Sequence, residues 1–346
     1  MRVMSFSTEL RRRLARTAVA AVTVTALVGL AACSGSATDG AKKETPTKIT
    51  FSLDYSYDGL HAPFFVAQSK GYYEDAGLDV TLRAGAGSSD TIQKVSSGVA
   101  DGGVASATSV LTSASNNTDL GVLATGLLLP HTPSAVVSLK SRKITEMKDL
   151  EGRSVTQSPA ASVGLFGAML KDAGVDASKV KMVNLNPSVV KQTLMAGKVD
   201  ASAIYVQVFA DVLDQLNVMM TKDYGIDPYS SAIIFGSKFA NANPAAVSAF
   251  MKASMRGLKD TIADPEVAGK AVAKVSGTGE EYYIAEIKLL NSLWDDEGIR
   301  STGYGLMTAA GWEQTQRDNI TYIDQKAPLS EGDLAALWTN KFLGVK

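Results

Sequence analysis

The sequence predicts an α/β protein of two lobes joined by two crossovers. Short apolar segments of strand type recur between residues 49 and 236, and most are followed by a helical pattern. Such alternation is typical of sheets covered by helices. A charged step at 140–143 and a loop with Gly and Pro at 224–230 interrupt the pattern, and we expect the two crossovers there.

The first 47 residues carry the pattern of an export signal. Four arginines between positions 11 and 16 precede an apolar run at 17–30, which is short for a membrane span. The segment ends in Leu30-Ala31-Ala32-Cys33, which resembles a bacterial lipobox. We therefore expect a signal peptide at 1–32, lipidation of Cys33 and a flexible, Ser- and Gly-rich tether at 33–47. An uncleaved membrane anchor is the alternative.

Composition excludes several classes of function. The chain has 346 residues, 20% of them charged, and a net charge of −1, which favours a two-domain globular protein and gives no electrostatic case for nucleic acid. The single Cys cannot form an internal disulfide. The two histidines, His61 and His131, lie in no cluster with metal-ligand spacing, so no metal site is expected.

Residues 53–80 read as strand, polar loop, helix and strand. Ile49, Phe51 and Leu53 alternate with polar residues, and the loop at 54–61 then collects two carboxylates, two tyrosines and a histidine. Pro63 suits the first turn of a helix, and a second strand follows at 78–82. A unit of this length normally has parallel strands, and ligands bind beyond their carboxyl ends, which is where the loop lies.

The same stretch contains a spaced set of residues, namely Leu53, Asp54, Tyr55, Asp58, His61, Phe65, Val66, Ala67, Gly71, Tyr72, Gly77, Leu78, Asp79 and Val80. It resembles the opening motif of bacterial solute-binding proteins that serve ABC importers of the thiamine-pyrimidine-precursor, aliphatic-sulfonate and nitrate type. The chain departs from that motif where Tyr55 replaces a frequent Trp, Tyr57-Asp58 replaces Pro-Asn and Pro63 replaces Gly. These departures lie in or beside the loop, so they bear on the ligand more than on the fold.

The resemblance implies a type II periplasmic-binding-protein fold, with two hinged lobes and a ligand in the cleft between them. We expect lobe I at 48–139 and 231–346, and lobe II at 140–230. Helical patterns at 245–263, 266–275, 280–294, 306–319 and 331–342 are expected to pack on lobe I without carrying chemistry.

The loop supplies the first candidate ligand contacts. A neutral His61 would donate from one nitrogen and accept on the other, which suits a heteroaromatic ring. Asp54 and Asp58 would accept hydrogen bonds from amino groups, and Tyr55 would stack on a flat ligand. Gly59 suggests that the chain is already turning, so Tyr57 is expected to face away, although both rings packing on the lobe is the alternative.

Other candidates lie at predicted helix starts and strand ends. Gly87, Ser88, Ser89 and Ser106 would offer free backbone N–H groups to an anion or a carbonyl oxygen. For Gly87, Ser88 and Ser89 the residues by themselves favour the alternative, a tight turn and an N-cap. In the facing lobe the candidates are Ser158, Ser162, Asn186 and Tyr205, for which a cap or core role is the alternative.

No catalytic motif is found: the chain has no Gly-x-Ser-x-Gly, His-Glu-x-x-His or Walker sequence. Some proteins of the resembled family make the thiamine pyrimidine and carry a Cys-rich motif, which this chain lacks. We therefore expect no enzyme and no cofactor, but a monomeric binding subunit anchored through Cys33 outside the cell membrane, with a permease and its ATPase as partners. The expected ligand is a thiamine-related aminopyrimidine, and the alternative ligands are an aliphatic sulfonate, taurine or nitrate. The alternative class of protein is a secreted enzyme or an anchored sensory domain.

Overall fold

A computed structural model describes residues 45–117, 119–157, 162–323 and 325–344. The predicted export signal, Cys33 and Ser158 lie outside the described residues, as does the side chain of Ser162. The strands are β1 Thr47–Ser52, β2 Leu78–Arg83, β3 Gly102–Ser106, β4 Val122–Leu129, β5 Ser134–Leu139, β6 Ser154–Gln157, β7 Lys181–Asn184, β8 Ala201–Tyr205, β9 Leu216–Met220 and β10 Ser231–Gly236.

The helices are α1 Ala62–Ser69, α2 Tyr72–Asp75, α3 Ser88–Ser96, α4 Ala107–Asn116, α5 Ser162–Asp172, α6 Pro187–Met195, α7 Ser237–Ala242, α8 Pro244–Ala263, α9 Pro265–Ser276, α10 Glu280–Trp294, α11 Glu297–Thr302, α12 Ala309–Asp318 and α13 Glu331–Ala336. Two predicted helices are shorter than expected: the pattern at 306–319 forms α12, and that at 331–342 stops with α13. None of the helices in the described ranges is long and apolar enough to cross a membrane.

The first sheet has the strand order β2-β1-β3-β10-β4. Strand β1 runs parallel to β2, with Ile49 beside Val80, and parallel to β3, whereas β10 is antiparallel to both of its neighbours. This confirms the parallel strand–helix–strand unit predicted for residues 53–80. Strand β1 already begins at Thr47, inside the predicted tether, because the Thr47 N–H donates to the carbonyl of Gly77 at 2.9 Å.

The second sheet has the order β7-β6-β8-β5-β9. Strand β5 belongs to it, since it pairs antiparallel with β8 and β9. The prediction that residues 134–139 belong to lobe I, with the first crossover at 140–143, is therefore wrong: the chain passes between the sheets at 130–133. A buried apolar strand has the same local pattern in either sheet, so only its pairing partners distinguish the two assignments. The return lies between β9 and β10 and includes the predicted loop at 224–230.

Each face of the first sheet is covered by helices. Phe51 of β1 is fully buried and lies 4.9 Å from the ring of Phe64 in α1 and 4.7 Å from that of Phe250 in α8. Helices α3 and α4 pack on the opposite face. The mixed α/β plan with two sheets agrees with the predicted fold class, and it places the carboxyl ends of β1 and β3 together.

Four chain segments lie where the two sheets meet. His131 of the first crossover contacts Asp227 of the return crossover at 2.6 Å and Asp296 at the start of α11 at 2.7 Å. A helical turn over Asn319–Ile323 bridges the lobes, because Asn319 donates to the Thr108 carbonyl in α4 while Tyr322 packs on the core of the second sheet.

Candidate ligand site

Residues 54–61, the ligand loop, follow the carboxyl end of β1, and hydrogen bonds from the start of α3 hold the backbone where the loop begins. The Gly87 N–H donates to the Asp54 carbonyl at 2.7 Å, and the Thr91 hydroxyl of α3 donates to the Leu53 carbonyl at 2.9 Å. The loop ends in a short 3₁₀ turn over Gly59–His61, followed directly by α1 with Pro63 in its first turn, as predicted. The loop therefore has a defined backbone.

His61 is held between two carboxylates of its own loop. Its ring is fully buried, with Nε2 at 2.8 Å from Asp54 Oδ1 and Nδ1 at 2.9 Å from Asp58 Oδ1. The contact to Asp58 is an ion pair that lies off the hydrogen-bond direction. Burial by itself would lower the pKa of His61, but the charge of Asp58 and the hydrogen bond to Asp54 raise it to about 10.

The sequence led us to expect a neutral His61 ring, whereas a buried ring between two carboxylates is protonated at neutral pH. Both ring nitrogens face carboxylates, so the ring has no free donor and acceptor pair for a heteroaromatic ligand. What the ring does in this structure is to orient Asp54 and Asp58, whose side chains remain 17% and 26% exposed.

The two tyrosines of the ligand loop have different environments. Tyr55 is 61% exposed, whereas Tyr57 packs edge-on against Phe65 with ring centroids 5.3 Å apart. This is the arrangement that Gly59 suggested, with Tyr57 turned towards the lobe. Stacking of a ligand on Tyr55 remains a prediction.

The helix starts of α3 and α4 adjoin the loop. The Ser88 hydroxyl accepts the backbone N–H of Ser106 at 2.9 Å, and the Ser106 hydroxyl accepts that of Ser109 at 3.1 Å. Ser89 is exposed, and Gly87 is the residue before α3. These serines therefore act as caps and cross-links in this structure, and their contact with a ligand stays a prediction.

Tyr205 is the second-lobe candidate that lies within electrostatic reach of the loop. It ends β8, and burial, with a further contribution from the Asp54 charge, raises the pKa of its hydroxyl. Asn186 is exposed at the start of α6, where its carbonyl accepts the Val189 N–H at 3.0 Å. In the described ranges, no group of three or more His, Cys, Asp or Glu side chains is arranged to hold a metal ion.

Sequence reasoning missed Glu286 of α10, which reaches the ligand loop from the C-terminal region. Its Oε2 accepts the Gly59 N–H at 2.8 Å, and a Cβ on Gly59 would lie 2.8 Å from the Cβ of Glu286, so the loop and helix approach closely. Burial, and after it the charge of Asp58, raises the pKa of Glu286 to about 7, against opposing hydrogen bonds from Tyr282 and Gly59.

One signal could have found this residue. Tyr283, Glu286, Ile287 and Leu290 recur at helical spacing, which places a carboxylate on the apolar, buried face of α10. Buried glutamates are rare unless they have a specific partner. Helix α10 therefore packs on the first lobe and also contacts the ligand loop through this carboxylate.

The sequence profile of the family described as NMT1/THI5 like matches residues 59–268. The chain belongs to this family. A relative in Aspergillus parasiticus, named 4-amino-5-hydroxymethyl-2-methylpyrimidine phosphate synthase, is 28% identical over 64% of this chain and 68% of its own length. The synthase THI13 of Saccharomyces cerevisiae, which has the same full name, is 26% identical over 86% of this chain and 88% of its own length.

Solved structures confirm the fold of this NMT1/THI5-like protein. The periplasmic aliphatic sulphonate-binding protein SsuA of Escherichia coli superimposes with a TM-score of 0.64 at 14% identity, over 85% of this chain and 92% of the other. The periplasmic nitrate-binding protein NrtA of Synechocystis PCC 6803 gives a TM-score of 0.62 at 14% identity, over 86% and 87%. The two-lobed periplasmic-binding-protein fold is therefore confirmed.

The relatives contradict the expectation that the chain is not an enzyme. Curated NMT1/THI5-like relatives from a mould, a yeast and Legionella pneumophila are named as synthases. The desulfurization enzyme DSZB also shares the fold, with a TM-score of 0.59 at 12% identity. The absence of familiar catalytic motifs was thus an insufficient argument, because this fold occurs in enzymes as well as in binding proteins.

Proposed function

We propose that this chain is the solute-binding subunit of an ABC importer and that it holds a thiamine-related aminopyrimidine between its lobes. The observation that carries the proposal is the grouping of exposed Tyr55 with partly exposed Asp54 and Asp58 beyond the carboxyl end of β1. An aromatic ring can stack on a tyrosine, and ring amino groups donate to carboxylates. Tyr205, at the end of β8 in the second lobe, supports the proposal because it lies within electrostatic reach of Asp54.

The charge of the site favours this ligand class over an anion. Two carboxylates share one imidazolium, so Asp54, Asp58 and His61 together carry one net negative charge. A sulfonate or nitrate would be repelled there and would need the starts of α3 and α4, where the Ser88 and Ser106 hydroxyls already accept backbone N–H groups. Sulfonates, taurine and nitrate are therefore the less favoured ligands.

The proposed place of the protein follows from its N-terminal sequence. Lipidation at Cys33 would anchor a monomer to the outer face of the cell membrane, where the closed, ligand-bound form would meet a permease with its ATPase. Hinge closure between two lobes is the motion that such a plan supports.

A thermal-shift screen tests the proposal. The probes are an aminopyrimidine, thiamine, an alkyl sulfonate, taurine and nitrate, and a probe at a hundredfold excess over its Kd adds about 2.7 kcal/mol of stability. We expect shifts with the pyrimidines, and we expect Tyr55→Ala to reduce them, because an exposed ring can be removed without opening the core. Val99→Ala is the matched control, since that side chain is 65% exposed and follows α3.

The outcomes separate the ligand classes. Stabilisation by sulfonates or nitrate alone would reject the pyrimidine ligand and retain a binding protein. An equal shift for pyrimidines in the wild type and in Tyr55→Ala would reject stacking on Tyr55.

A second candidate is synthesis of the pyrimidine phosphate. It is favoured by the synthase THI13, which matches 86% of this chain. Purified protein, incubated with cell extract from which small molecules have not been removed, would be assayed by mass spectrometry for 4-amino-5-hydroxymethyl-2-methylpyrimidine phosphate. Product above the level of extract alone would establish this activity, and product equal to that level would reject it under these conditions.

A further inference from the structure

Glu286 is buried beneath the ligand loop, on a helix that touches both lobes. Its side chain is 3% exposed and accepts the Gly59 N–H. The neighbouring Ile287 lies in the core of the first lobe, and Leu289 packs on that of the second. A change in the charge of Glu286 would therefore act on the ligand loop and on a helix between the lobes.

The groups that face Glu286 are mostly acidic or neutral. From the ligand loop come the negative Asp58, the positive His61 and the Gly59 N–H, and from its own helix the hydroxyl of Tyr282. Beyond Tyr282, the Lys191 ammonium lies 6.0 Å from the ring centroid and pairs with Asp211. His61, the cation of the ligand loop, is already shared by two carboxylates.

Ionisation of Glu286 would thus add a second net negative charge to a cluster that already carries one. Without a ligand this charge is unfavourable, because the group is buried. A positively charged ligand against Asp54 and Asp58 would compensate it. The ionised carboxylate would then accept the Gly59 N–H more strongly, since hydrogen bonds to charged acceptors are stronger than neutral ones.

We propose that Glu286 is a positioning residue for the ligand loop and that a cationic ligand binds with loss of the Glu286 proton. The O–H bond of the carboxylic acid breaks, the proton passes to the buffer, and no other bond changes. The inference rests on the proposed function, because it takes the interlobe cleft as the ligand site.

The first test needs no ligand. Glu286→Gln keeps an oxygen acceptor for the Gly59 N–H but cannot ionise. We expect the wild type to lose thermal stability relative to Glu286→Gln as the pH rises from about 4.5 to 7, because burial opposes ionisation of the glutamate in the folded state. Glu281→Gln, exposed on the same helix, is the control and should follow the wild type. Parallel profiles for the wild type and Glu286→Gln would overturn the proposal.

The second test measures the proton. Thiamine, which carries a permanent positive charge, is titrated calorimetrically near pH 6.5 in two buffers of different ionisation enthalpy. We expect the wild type to release a proton on binding, with affinity rising by up to about tenfold per pH unit, and Glu286→Gln to release none. Equal release by both proteins would overturn the linkage.

Failure of the proposed function is distinguishable from failure of this inference. If the wild type binds neither thiamine nor an aminopyrimidine, the proposed ligand class and the proton linkage both fail. The ligand-free profiles would still decide whether Glu286 is held protonated beneath the loop.

Discussion

Replacing Gly164 by alanine should force helix α5 away from the turn over Asn319–Ile323. A Cβ at position 164 would overlap the carbonyl oxygen of Tyr322 and would lie 2.8 Å from its carbonyl carbon and 3.0 Å from Cα of Ile323. These are backbone atoms, so no change of rotamer can relieve the overlap. Gly167 in the same helix has no such neighbour within 4 Å and provides a matched control.

The two substitutions should have opposite signs. Overpacking lowers the free energy of unfolding by about 1–3 kcal/mol. Because Gly164→Ala overlaps backbone atoms, we expect a loss of about 3 kcal/mol for it. Replacing glycine by alanine inside a helix stabilises the fold by about 1 kcal/mol. The net decrease in the free energy of unfolding is therefore about 2 kcal/mol. Gly167→Ala should gain about 1 kcal/mol. The difference of about 3 kcal/mol corresponds to roughly 6 °C in Tm for a chain of this size.

Thermal unfolding followed by circular dichroism measures this difference. The turn bridges α4 and the core of the second sheet. If Gly164→Ala destabilises only the ligand-bound form, by about 2 kcal/mol, ligand binding should also weaken by roughly thirtyfold. A Tm for Gly164→Ala equal to that of Gly167→Ala would refute the reasoning. A lower Tm with unchanged ligand affinity would mean that the contact persists in the open form.

Two further predictions concern the histidines. His61→Ala should lower the free energy of unfolding by about 3–5 kcal/mol, because Asp54 and Asp58 lose their shared cation. An unchanged midpoint of urea unfolding would contradict this. At the crossovers, the hydrogen bond to Asp227 raises the pKa of His131, so the stabilisation is complete below its ordinary pKa and is lost as the pH rises through the raised one. The Tm advantage of the wild type over His131→Gln should therefore shrink as the pH rises above the ordinary histidine pKa of about 6.5. A constant advantage would argue against the ion pair.

Local pattern was sufficient to locate the strands. Strands β5 and β10 are short apolar runs enclosed by polar or charged residues, which is the pattern that predicted strands between residues 49 and 236. Pattern was insufficient to assign β5 to a sheet, because its pairing with β8 joins residues far apart in the chain. The position of the first crossover was wrong for this reason.

In the ligand loop, too, the local sequence predicted some side-chain features and not others. Gly59 indicated a turn, and in the structure Tyr57 packs on Phe65 while Tyr55 is exposed. The charge of His61 was missed, although both carboxylates that hold it lie within seven residues. Their position depends on the fold of the loop, and a lone imidazole in water would be mostly neutral at pH 7.

The sequence by itself determined that the chain forms alternating strands and helices and that a polar, aromatic loop follows β1, because periodicity and turn residues act locally. Only the tertiary structure decided what surrounds that loop. Glu286 meets Gly59 across 227 residues because α10 buries its apolar face on the first lobe and carries the carboxylate with it. Burial and neighbouring charge, which set the protonation of Glu286 and His61, exist only once those distant segments have packed together.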